Sequence, residues 1–411
     1  MTQKVAVLGA GIVGICTALS LAERGLRVTV IDRAEPGQET SYGNAGVISP
    51  WSIIPQAMPG IWRQIPRLMW GRERALSVRA AHWPRMIPWG LQFLRNARPE
   101  RVREVSEAMA LLCAPSIELF RRHLEGTGAE HLVRDSMYIH AFRDGSRPTL
   151  TSLDYAIRRE NGAELELVGA DALRRIEPAL SHDFQAAVLI KGQARALSPG
   201  RICAVLTEKA RKNGVAFQRK AVDGIEATAD GWVIRCADER LQAHKVVLSL
   251  GVWSPRILEG LGIRVPLMAE RGYHVEFANS GIQLENSVMD ADAKFVASSM
   301  EGGLRLAGQA EFADVDAPPD PKKFAHLTKL AQQVFPDIDT REKKVWMGRR
   351  PSFPDSLPAL GEITGHPGLF ANFGHSHYGL MMAPKSGELI ADRVAGTPLN
   401  ADLSAFLVDR F

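Results

Sequence analysis

The first 32 residues alternate between short apolar runs and a helix-like repeat. Residues 4–8 (KVAVL) are apolar and rich in β-branched side chains, which predicts a buried parallel strand. Apolar residues then recur at helical spacing over residues 12–19, and the repeat ends at Gly25, a residue type that commonly terminates helices. A second apolar run, residues 28–31, ends at Asp32. The chain therefore opens with a predicted strand–helix–strand unit.

The turn between the first strand and the helix has the sequence GAGIVG (9–14). In such a turn Gly9 permits a tight bend, Gly11 lets the backbone approach a pyrophosphate, and Gly14 lets helix and strand pack closely. The helix N-terminus presents free N–H groups and the positive end of the helix dipole to phosphates. Asp32, 18 residues after Gly14, can accept hydrogen bonds from a ribose diol. The unit predicts a dinucleotide site; the alternative is a glycine-rich turn that binds no ligand.

The end of the chain has a related arrangement. Residues 246–250 form an apolar strand that ends at Gly251, and residues 369–373 form another that runs into the loop GHSHYG (374–379). A helix is predicted over residues 380–395, with its N-terminus directed at whatever the glycine loop holds. Reduced flavin carries negative charge near N1 and C2=O, which a helix N-terminus stabilises. A cofactor held by both ends of the chain indicates FAD rather than NAD.

The middle of the chain mixes helices and strands. Helical spacing of apolar residues is found over residues 101–125, 148–161 and 199–213. A series of strands is predicted over residues 215–247, with one of its turns at residues 238–239. Alternating patterns at residues 265–278 and 303–311 predict an antiparallel sheet, and residues 317–321 predict a linker before a helix that ends near Phe335. This mixture indicates an α/β plus α+β fold.

Composition excludes several classes of protein. Hydrophobic residues make up 45% and charged residues 23%, which is typical of globular proteins and not of disordered, collagen-like or coiled-coil chains. The four cysteines form no CxxC pair and have no histidine cluster beside them, so neither a disulfide framework nor a zinc site is predicted. No run of 18 apolar residues and no signal peptide are found, which favours a cytoplasmic location.

Residues 51–103 carry most of the positive charge. They contain ten Arg against two acidic residues, and five of the eight Trp. Several prolines break the stretch, so it does not form one long amphipathic helix. Two interpretations stay open: the tryptophans pack over a substrate cavity while the arginines are solvated, or the stretch contacts a membrane surface or an approaching quinone. It contains no recognised nucleic-acid-binding module, so nucleic-acid binding is not predicted.

Five motifs together resemble a known superfamily over nearly the whole chain. They are VAVLGAGIVG (5–14), TSYGNAG (40–46), ERGYHV (270–275), WMGRRPSFPDSLPALG (346–361) and NFGHSHYGLMMAP (372–384). They resemble the FAD-dependent D-amino acid dehydrogenase and glycine/sarcosine oxidase superfamily, in particular its D-amino acid dehydrogenase branch, which includes glyphosate oxidoreductase-like enzymes. The chain departs from the pattern at Ser376, where GHGH is common, and at residues 192–200, and both departures concern the substrate more than the cofactor.

The resemblance implies an FAD-binding Rossmann-type domain of the glutathione-reductase kind, with an inserted substrate domain built on an antiparallel sheet. The FAD-binding domain would comprise residues 1–86, 150–265 and 345–411, and the substrate domain residues 87–149 and 266–344. The implied reaction is FAD-dependent oxidative deamination of a small amino or imino acid, of the D-amino acid or N-substituted glycine type. A hydride would pass from Cα to flavin N5, and the electrons would go to a quinone or another acceptor.

Alternative functions stay open at this point. One is an oxidase that returns electrons to O2, and another is a flavin electron-transfer subunit without a substrate site of its own. The side-chain preference, the D or L preference and the oligomeric state also stay open.

The resemblance also implies site residues. Arg350 matches the substrate arginine of the GxRP motif, and a guanidinium binds a carboxylate through two parallel hydrogen bonds; the alternative is a surface ion pair. Tyr273 is expected to hold the second carboxylate oxygen, with His274 on the other face of the strand in a structural role. His375 is expected to contact flavin or substrate, the alternative being a loop histidine that is already hydrogen-bonded. No metal site is predicted, because His375 and His377 are badly spaced for one.

The predicted cofactor contacts come from both ends of the chain and from the strand series, where the backbone of Val222 would meet the adenine. They are Gly9, Gly11, Ile12, Val13, Gly14, Asp32, Arg33, Ser41, Asn44, Ala45, Gly46, Val222, Gly251, Trp253, Gly348, Gly374, His377, Gly379 and Leu380.

Overall fold

The computed structural model describes residues 3–71, 74–237 and 239–411. Arg72 and Glu73 of the arginine-rich stretch lie outside the described residues, as does Asp238 in one of the predicted turns. The predicted fold class is confirmed: the described residues combine a mainly parallel sheet with a large, mainly antiparallel one.

The first sheet has six strands and contains both predicted nucleotide-binding ends of the chain. In spatial order they are β18 (Ala359–Glu362), β19 (Leu369–Phe373), β12 (Lys245–Leu248), β1 (Lys4–Leu8), β2 (Arg27–Asp32) and β8 (Ala216–Arg219), numbered along the chain. Only the β18–β19 pair is antiparallel. Strands β1, β12 and β19 are almost entirely buried apolar residues, as expected for strands covered on both faces. A smaller antiparallel sheet follows β8 along the chain: β9 (Gly224–Thr228), β10 (Gly231–Cys236) and β11 (Glu239–Ala243).

The largest sheet has ten strands. Eight form the path β17 (Lys343–Ser352), β13 (Met268–Phe277), β16 (Gly303–Phe312), β15 (Phe295–Met300), β14 (Ser287–Asp290), β5 (Val133–Phe142), β7 (Ala186–Ala196) and β3 (Val47–Ile48). The other two are β4 (Leu76–Val78), which pairs with β16, and β6 (Leu165–Gly169), which pairs with β7. The predicted antiparallel pairing of residues 265–278 with 303–311 is confirmed by the β13–β16 ladder.

The predicted domain boundaries stay a prediction, and strand pairing favours a different division. Strands β6 and β7 lie within residues 150–265, which the sequence assigned to the FAD-binding domain, yet they pair within the ten-stranded sheet. One of the partners of β7 is β5, which lies more than 40 residues earlier in the chain. A local pattern of apolar residues does not reveal so distant a pairing. We propose that the two domains are divided by sheet, with residues 165–196 on the side of the ten-stranded sheet.

Eleven α-helices are found in the described residues. They are α1 (Ile12–Glu23), α2 (Ile61–Trp70), α3 (Trp83–Asn96), α4 (Pro99–Cys113), α5 (Ser116–Leu124), α6 (Leu153–Glu160), α7 (Ala170–Ile176), α8 (Pro199–Lys212), α9 (Ser254–Glu259), α10 (Pro321–Val334) and α11 (Gly379–Ala395). Helices α1 and α11 pack against each other so closely that a Cβ added at Gly387 would lie 2.9 Å from the backbone of Cys16 and Thr17. The first and last helices of the chain therefore share one core.

Candidate active site

One cavity of about 1420 Å³ receives residues from both ends of the chain and from the ten-stranded sheet. Small-molecule sites usually measure about 300–1,000 Å³, so this one has room for a large cofactor together with a substrate. All the predicted site residues line it except Gly9, Gly14 and Gly46. The fold therefore brings together, in one cavity, predicted site residues that are far apart in the sequence.

Two of the glycines outside the cavity wall allow neighbouring backbone segments to approach closely. Gly9 has φ +108°, and a Cβ there would lie 2.3 Å from the carbonyl oxygen of Ser249 on the neighbouring strand connection. A Cβ at Gly14 would lie 1.9 Å from the carbonyl oxygen of Gly9. A side chain at Gly9 would push away the connection that follows β12, and one at Gly14 would separate α1 from the end of β1. These two glycines therefore shape the site without lining the cavity.

Two helix N-termini open into the cavity. Gly11, Ile12 and Val13 at the start of α1 line it, as do Gly379 and Leu380 at the start of α11. Neither helix has a side-chain N-cap or an acidic residue in its first turn. Both positive dipole ends are thus available to a negatively charged ligand.

Asp32 lies at the end of β2 and lines the same part of the cavity. Its Oδ2 accepts the N–H of Ala10 at 2.6 Å, and its Oδ1 accepts the N–H of Ala34 at 2.9 Å. Burial raises the pKa of Asp32, while the two backbone hydrogen bonds oppose the rise. The carboxylate is therefore held in place beside the α1 N-terminus, where a ribose hydroxyl can donate to it.

Six buried polar atoms on residues that line the cavity have no hydrogen-bond partner among the described residues: Trp89 Nε1, His140 Nε2, Ser249 Oγ, Trp253 Nε1, Gln309 Nε2 and Asn372 Oδ1. Three of them, Ser249 Oγ, Trp253 Nε1 and Asn372 Oδ1, lie near the ends of β12 and β19, beside the predicted cofactor residues. Buried polar atoms are rarely left unpaired in native proteins, so these atoms favour a polar ligand in the cavity. Together with the two helix ends and Asp32, they fit a dinucleotide such as FAD. The guanidinium of Arg33 lies 4.0 Å above the Trp253 ring and closes this part of the wall.

Arg350 presents one free edge to the cavity. Its Nη1 donates to Glu270 Oε1 at 2.7 Å and to the carbonyl oxygen of Gln309 at 3.1 Å. Its Nε and Nη2 donate to no group among the described residues. The guanidinium lies over Gly272: a Cβ at Gly272 would be 2.3 Å from Nη2 and 2.6 Å from Nε. Because Gly272 has no side chain, the guanidinium fits above it, with Nε and Nη2 of Arg350 free to donate to a ligand.

A β-bulge supplies one of the two acceptors. The β13–β16 register shifts between Arg271 and Tyr273, and Gln309 on β16 has φ +64°, a conformation that non-glycine residues rarely adopt. The bulge directs the Gln309 carbonyl to Arg350, while the side-chain Oε1 accepts from Lys323 Nζ at 3.1 Å. Backbone strain of this kind is concentrated at functional sites. Neither the bulge nor Gln309 was predicted from the sequence.

Glu270 is the second residue that the sequence analysis missed. Its Oε2 accepts from Ser352 Oγ at 2.9 Å and from Gln56 Nε2 at 3.2 Å. Burial alone would raise the pKa of Glu270, but the positive charge of Arg350 and the hydrogen bonds outweigh it and hold the pKa below its ordinary value. The ERGYHV motif contained Glu270, but its role depends on a cross-strand partner that a motif does not show.

The two loop histidines differ from expectation. His375 is buried, and its Nε2 lies 3.2 Å from Ser386 Oγ on α11, so this ring nitrogen is hydrogen-bonded within the protein. The Nδ1 of His377 lies 3.0 Å from Gln56 Nε2, and its charge environment includes Glu270 and Arg350. Burial lowers the pKa of His375 to about 3 and that of His377 to about 4. His377, expected only as a cofactor contact, is therefore nearer to the Arg350 pair than His375, which was expected to be catalytic.

Tyr273 corrects another expectation. Its hydroxyl donates to Glu311 Oε2 at 2.5 Å and accepts the N–H of Asp320 at 3.1 Å. Its ring packs against Phe324 of α10, on the face of β13 opposite to Gly272 and Arg350. The hydroxyl is therefore not available to a substrate carboxylate. His274 is buried and stacks on Trp346, which agrees with a structural role.

Comparison with known proteins identifies the family. Residues 4–393 match the family model DAO, described as FAD dependent oxidoreductase. The chain belongs to this family. It is 32% identical to a D-amino-acid oxidase of Bradyrhizobium diazoefficiens, with 100% of this chain and 99% of the relative covered. It is 31% identical to a D-amino acid dehydrogenase of Chromohalobacter salexigens, with 98% and 100% covered.

The fold matches as well. A crystal structure of glycine oxidase from Geobacillus kaustophilus aligns with a TM-score of 0.76 and 21% identity, and 100% of each chain is covered. This DAO-family protein is thus an FAD-dependent oxidoreductase acting on C–N bonds. The residues at the two helix ends, Asp32 and the three unpaired polar atoms would hold the FAD.

Proposed function

We propose that this protein oxidises the C–N bond of a small amino or imino acid, of the D-amino acid or N-substituted glycine type, whose carboxylate binds Arg350. One observation carries the proposal: Nη1 of Arg350 is fully used by the protein, while Nε and Nη2 form a free edge inside the cavity. Such an edge makes two parallel hydrogen bonds to a carboxylate. The names of the two relatives support the same class of substrate.

The protein itself binds the substrate, orients its Cα and shields the site from water. FAD, when bound, would supply the hydride acceptor for oxidation of the C–N bond. Arg350 fixes the carboxylate and so the position of Cα, which is the kind of orientation that accelerates such a transfer. His375 and His377 stay neutral at neutral pH because burial lowers their pKa values. Burial of the site favours the neutral amine over the ammonium ion, and the neutral amine is the form that is oxidised.

The test is anaerobic mixing of the FAD-loaded protein with D- and L-amino acids, sarcosine, both proline isomers and glyphosate. We expect at least one amino or imino acid to bleach the flavin absorption band, and the Arg350→Ala protein to keep its flavin without being bleached. A protein that no compound of the panel bleaches would overturn the proposal and favour an electron-transfer subunit.

The electron acceptor is the second part of the proposal. Helices α2 and α3 expose large apolar side chains: Trp70 is 71% exposed, Trp62 59%, Ile87 58% and Leu91 55%. Arg63, Arg85 and Arg95 are exposed on the same two helices. We call these seven residues the α2–α3 surface. Trp89 is different: it is 5% exposed and lines the cavity, as in the interpretation in which tryptophans pack over the substrate.

We propose that the α2–α3 surface lies on the anionic inner face of a membrane and that a membrane quinone accepts the electrons. Tryptophan favours the headgroup region, and each basic residue near an anionic surface contributes about 1 kcal/mol. Ile61, Ile65 and Ile87, on the same helices, also line the cavity, so a quinone could approach from this side. None of the helices among the described residues is long and apolar enough to cross a bilayer.

Sedimentation with vesicles tests this contact. We expect binding to vesicles that contain anionic lipid, with binding that falls as salt rises, and none to purely zwitterionic vesicles. The double variant Trp62→Ser, Trp70→Ser should lose binding, while Leu167→Ser, which removes an exposed apolar residue from β6, should keep it. If the protein stays in the supernatant at low salt, the surface is not a membrane contact, and O2 or a diffusible carrier becomes the acceptor to test.

A further inference from the structure

Four side chains form a row across four neighbouring strands. Arg350 on β17 stands opposite Glu270 on β13, Glu270 stands opposite Phe312 on β16, and Phe312 stands opposite Val78 on β4. Directly opposed residues project from the same face of a sheet. The row therefore starts at the carboxylate-binding guanidinium and ends in apolar side chains. Arg350, Glu270, Phe312 and Val78 all line the one cavity.

The apolar end of the row continues into α3. The Trp89 ring lies 5.4 Å from that of Phe312, and Phe93 stacks on Trp89 at 5.3 Å with an angle of 15° between the rings. Met268 on β13 and Leu76 on β4 complete this cluster. The apolar wall is thus built by residues from four separate elements.

The wall lies on the side of Arg350 away from the cofactor residues. The loop that precedes α11 pairs with β17 through Ser352 and His375, at one edge of the sheet. Phe312 and Val78 lie on the other side of β13. A substrate held by Arg350 therefore has the cofactor residues on one side and the apolar wall on the other.

The spacing fits an amino-acid side chain. Neighbouring strands are about 4.8 Å apart, and the Arg350 guanidinium already lies over β13, above Gly272. Phe312 stands opposite Glu270, two residues along β13 from Gly272, so the aromatic wall begins roughly 8 Å from the carboxylate anchor, one strand spacing across the sheet and two residues along it. The Cα of a bound amino acid is one bond from its carboxylate, so a side chain of four or more heavy atoms extends across this distance to the wall. Glycine and sarcosine leave the wall uncovered.

We infer that Phe312 and Trp89 form a subsite for the substrate's side chain, and that this protein turns over amino acids with branched aliphatic, thioether or aromatic side chains best. The inference rests on the proposed function, because it needs a carboxylate on Arg350. Each CH2 buried against the wall strengthens binding about fourfold. An acidic or basic side chain has no charged partner in the cluster, where Trp89 Nε1 is the one unpaired polar side-chain atom among the described residues, so it would lose its hydration there without compensation.

The experiment compares kcat/KM for glycine, alanine, leucine, phenylalanine and aspartate, each amino acid in the enantiomer that reacts. We expect leucine and phenylalanine to exceed alanine by at least tenfold, with aspartate below alanine. Phe312→Ala should lower kcat/KM for leucine and phenylalanine by at least tenfold and that for alanine by less than threefold. A variant of Leu167, exposed on β6, is the matched control for truncation of an apolar residue: Leu167→Ala should leave the ranking unchanged.

A second variant keeps the test informative if Phe312→Ala does not fold. Leu76→Phe fills the wall instead of emptying it, so it should reject phenylalanine while still accepting alanine. Dissociation constants of acetate, propionate and 4-methylpentanoate, measured from the shift of the flavin band, should fall along this series. If amino acids react but alanine equals leucine, or the variants change all substrates alike, the subsite is wrong although the proposed function stands. If no amino acid reacts, the proposed function itself has failed.

Discussion

Arg350 and Glu270 stand opposite each other on β17 and β13, and the Nη1 of Arg350 donates to Oε1 of Glu270 over 2.7 Å. Only 5% of the Glu270 side chain and 22% of the Arg350 side chain are exposed. A buried ion pair of this kind orients its members and partly cancels the positive charge that a ligand meets. Glu270 is therefore a positioning residue for the carboxylate anchor.

Glu270→Gln should bind simple carboxylates more tightly. The amide oxygen still accepts from Arg350, but the negative charge beside the incoming carboxylate is gone, so the dissociation constant of propionate should fall severalfold at low ionic strength. Titration followed by the flavin spectrum measures this without turnover. Glu118→Gln, at an exposed position of α5, is the control and should have no effect. Unchanged or weaker propionate binding in Glu270→Gln would place the carboxylate elsewhere. Glu270→Ala, which also frees the guanidinium, should lower kcat/KM for amino acids.

Arg350→Lys should fail nearly as badly as Arg350→Ala. A hydrogen bond to a charged group contributes about 1.5–3 kcal/mol, so losing the two-donor edge should lower kcat/KM by at least about two orders of magnitude. An ammonium does not reproduce the planar edge. FAD content should be unchanged in both variants. Arg341→Lys, whose side chain is exposed, controls for the loss of a guanidinium. A near-normal Arg350→Lys protein would show that the anchor is another residue.

Gly272→Ala should displace the Arg350 guanidinium. The added Cβ would lie 2.3 Å from Nη2, and the flexible arginine side chain is what can move. We expect KM for the amino acid to rise about tenfold or more, with FAD retained and little loss of stability. Gly169→Ala, where a Cβ meets nothing within 4 Å, should behave as wild type. An unchanged KM in Gly272→Ala would mean that the edge over Gly272 does not bind substrate.

Gly387→Ala should separate α11 from α1. The contact is with backbone atoms of Cys16 and Thr17 at 2.9 Å, which cannot move aside, and such overpacking costs about 1–3 kcal/mol. The melting temperature should fall, and FAD should dissociate more readily because both helix N-termini line its cavity. Gly90→Ala, in α3 and with open space around it, should keep or raise the melting temperature. A stable Gly387→Ala protein with tight FAD would contradict this reading of the helix pair.

His123→Leu should make the protein less sensitive to acid. Burial lowers the pKa of His123 to about 4, with the neighbouring Arg122 adding to the effect and Glu388 opposing it. Between pH 6.5 and 4 the unfolded chain therefore binds a proton that the folded chain does not, and stability is lost as pH falls. Removing the imidazole removes up to about 1.4 kcal/mol per pH unit of that loss. Melting temperatures at pH 7 and pH 5 measure it: the drop should be smaller in His123→Leu, and an equal drop would mean that His123 titrates normally.

The dinucleotide end of the site could be predicted because its determinants are local. The glycines, the helix repeat and Asp32 lie within one stretch of about thirty residues, and each residue type has one geometric role there. Arg350 could also be selected as a candidate, because its motif surrounds it, and the structure places it in the cavity wall. Local motifs thus identify a residue that binds a ligand, such as Arg350, but not the residues that orient its side chain.

Glu270, Gln309 and Tyr273 show why the rest was missed. Alternation along β13 predicts that Tyr273 and His274 face opposite ways, but both faces of this strand are buried, so nothing in the pattern tells which face meets the cavity. Glu270 acquires its role from a partner 80 residues away, and the Gln309 carbonyl is aimed by a bulge that arises only when β13 and β16 pair. These contacts depend on which residues of neighbouring strands stand opposite each other. The pattern of apolar residues along a single strand does not determine that register.

The two helix ends that line the cofactor site are synthesised at different times. They come from opposite ends of the chain, and Arg24, directly after α1, is joined to Asp392 on α11 by an ion pair that spans 368 residues of sequence. At about 5–20 residues per second, about 20 to 70 seconds separate the synthesis of the two halves. A nascent chain that has completed β1, α1 and β2 thus has half a binding site and must wait for α11. Retention of FAD by both helices must therefore follow the synthesis of α11, and a chain interrupted before α11 is left without the helix that would retain the cofactor.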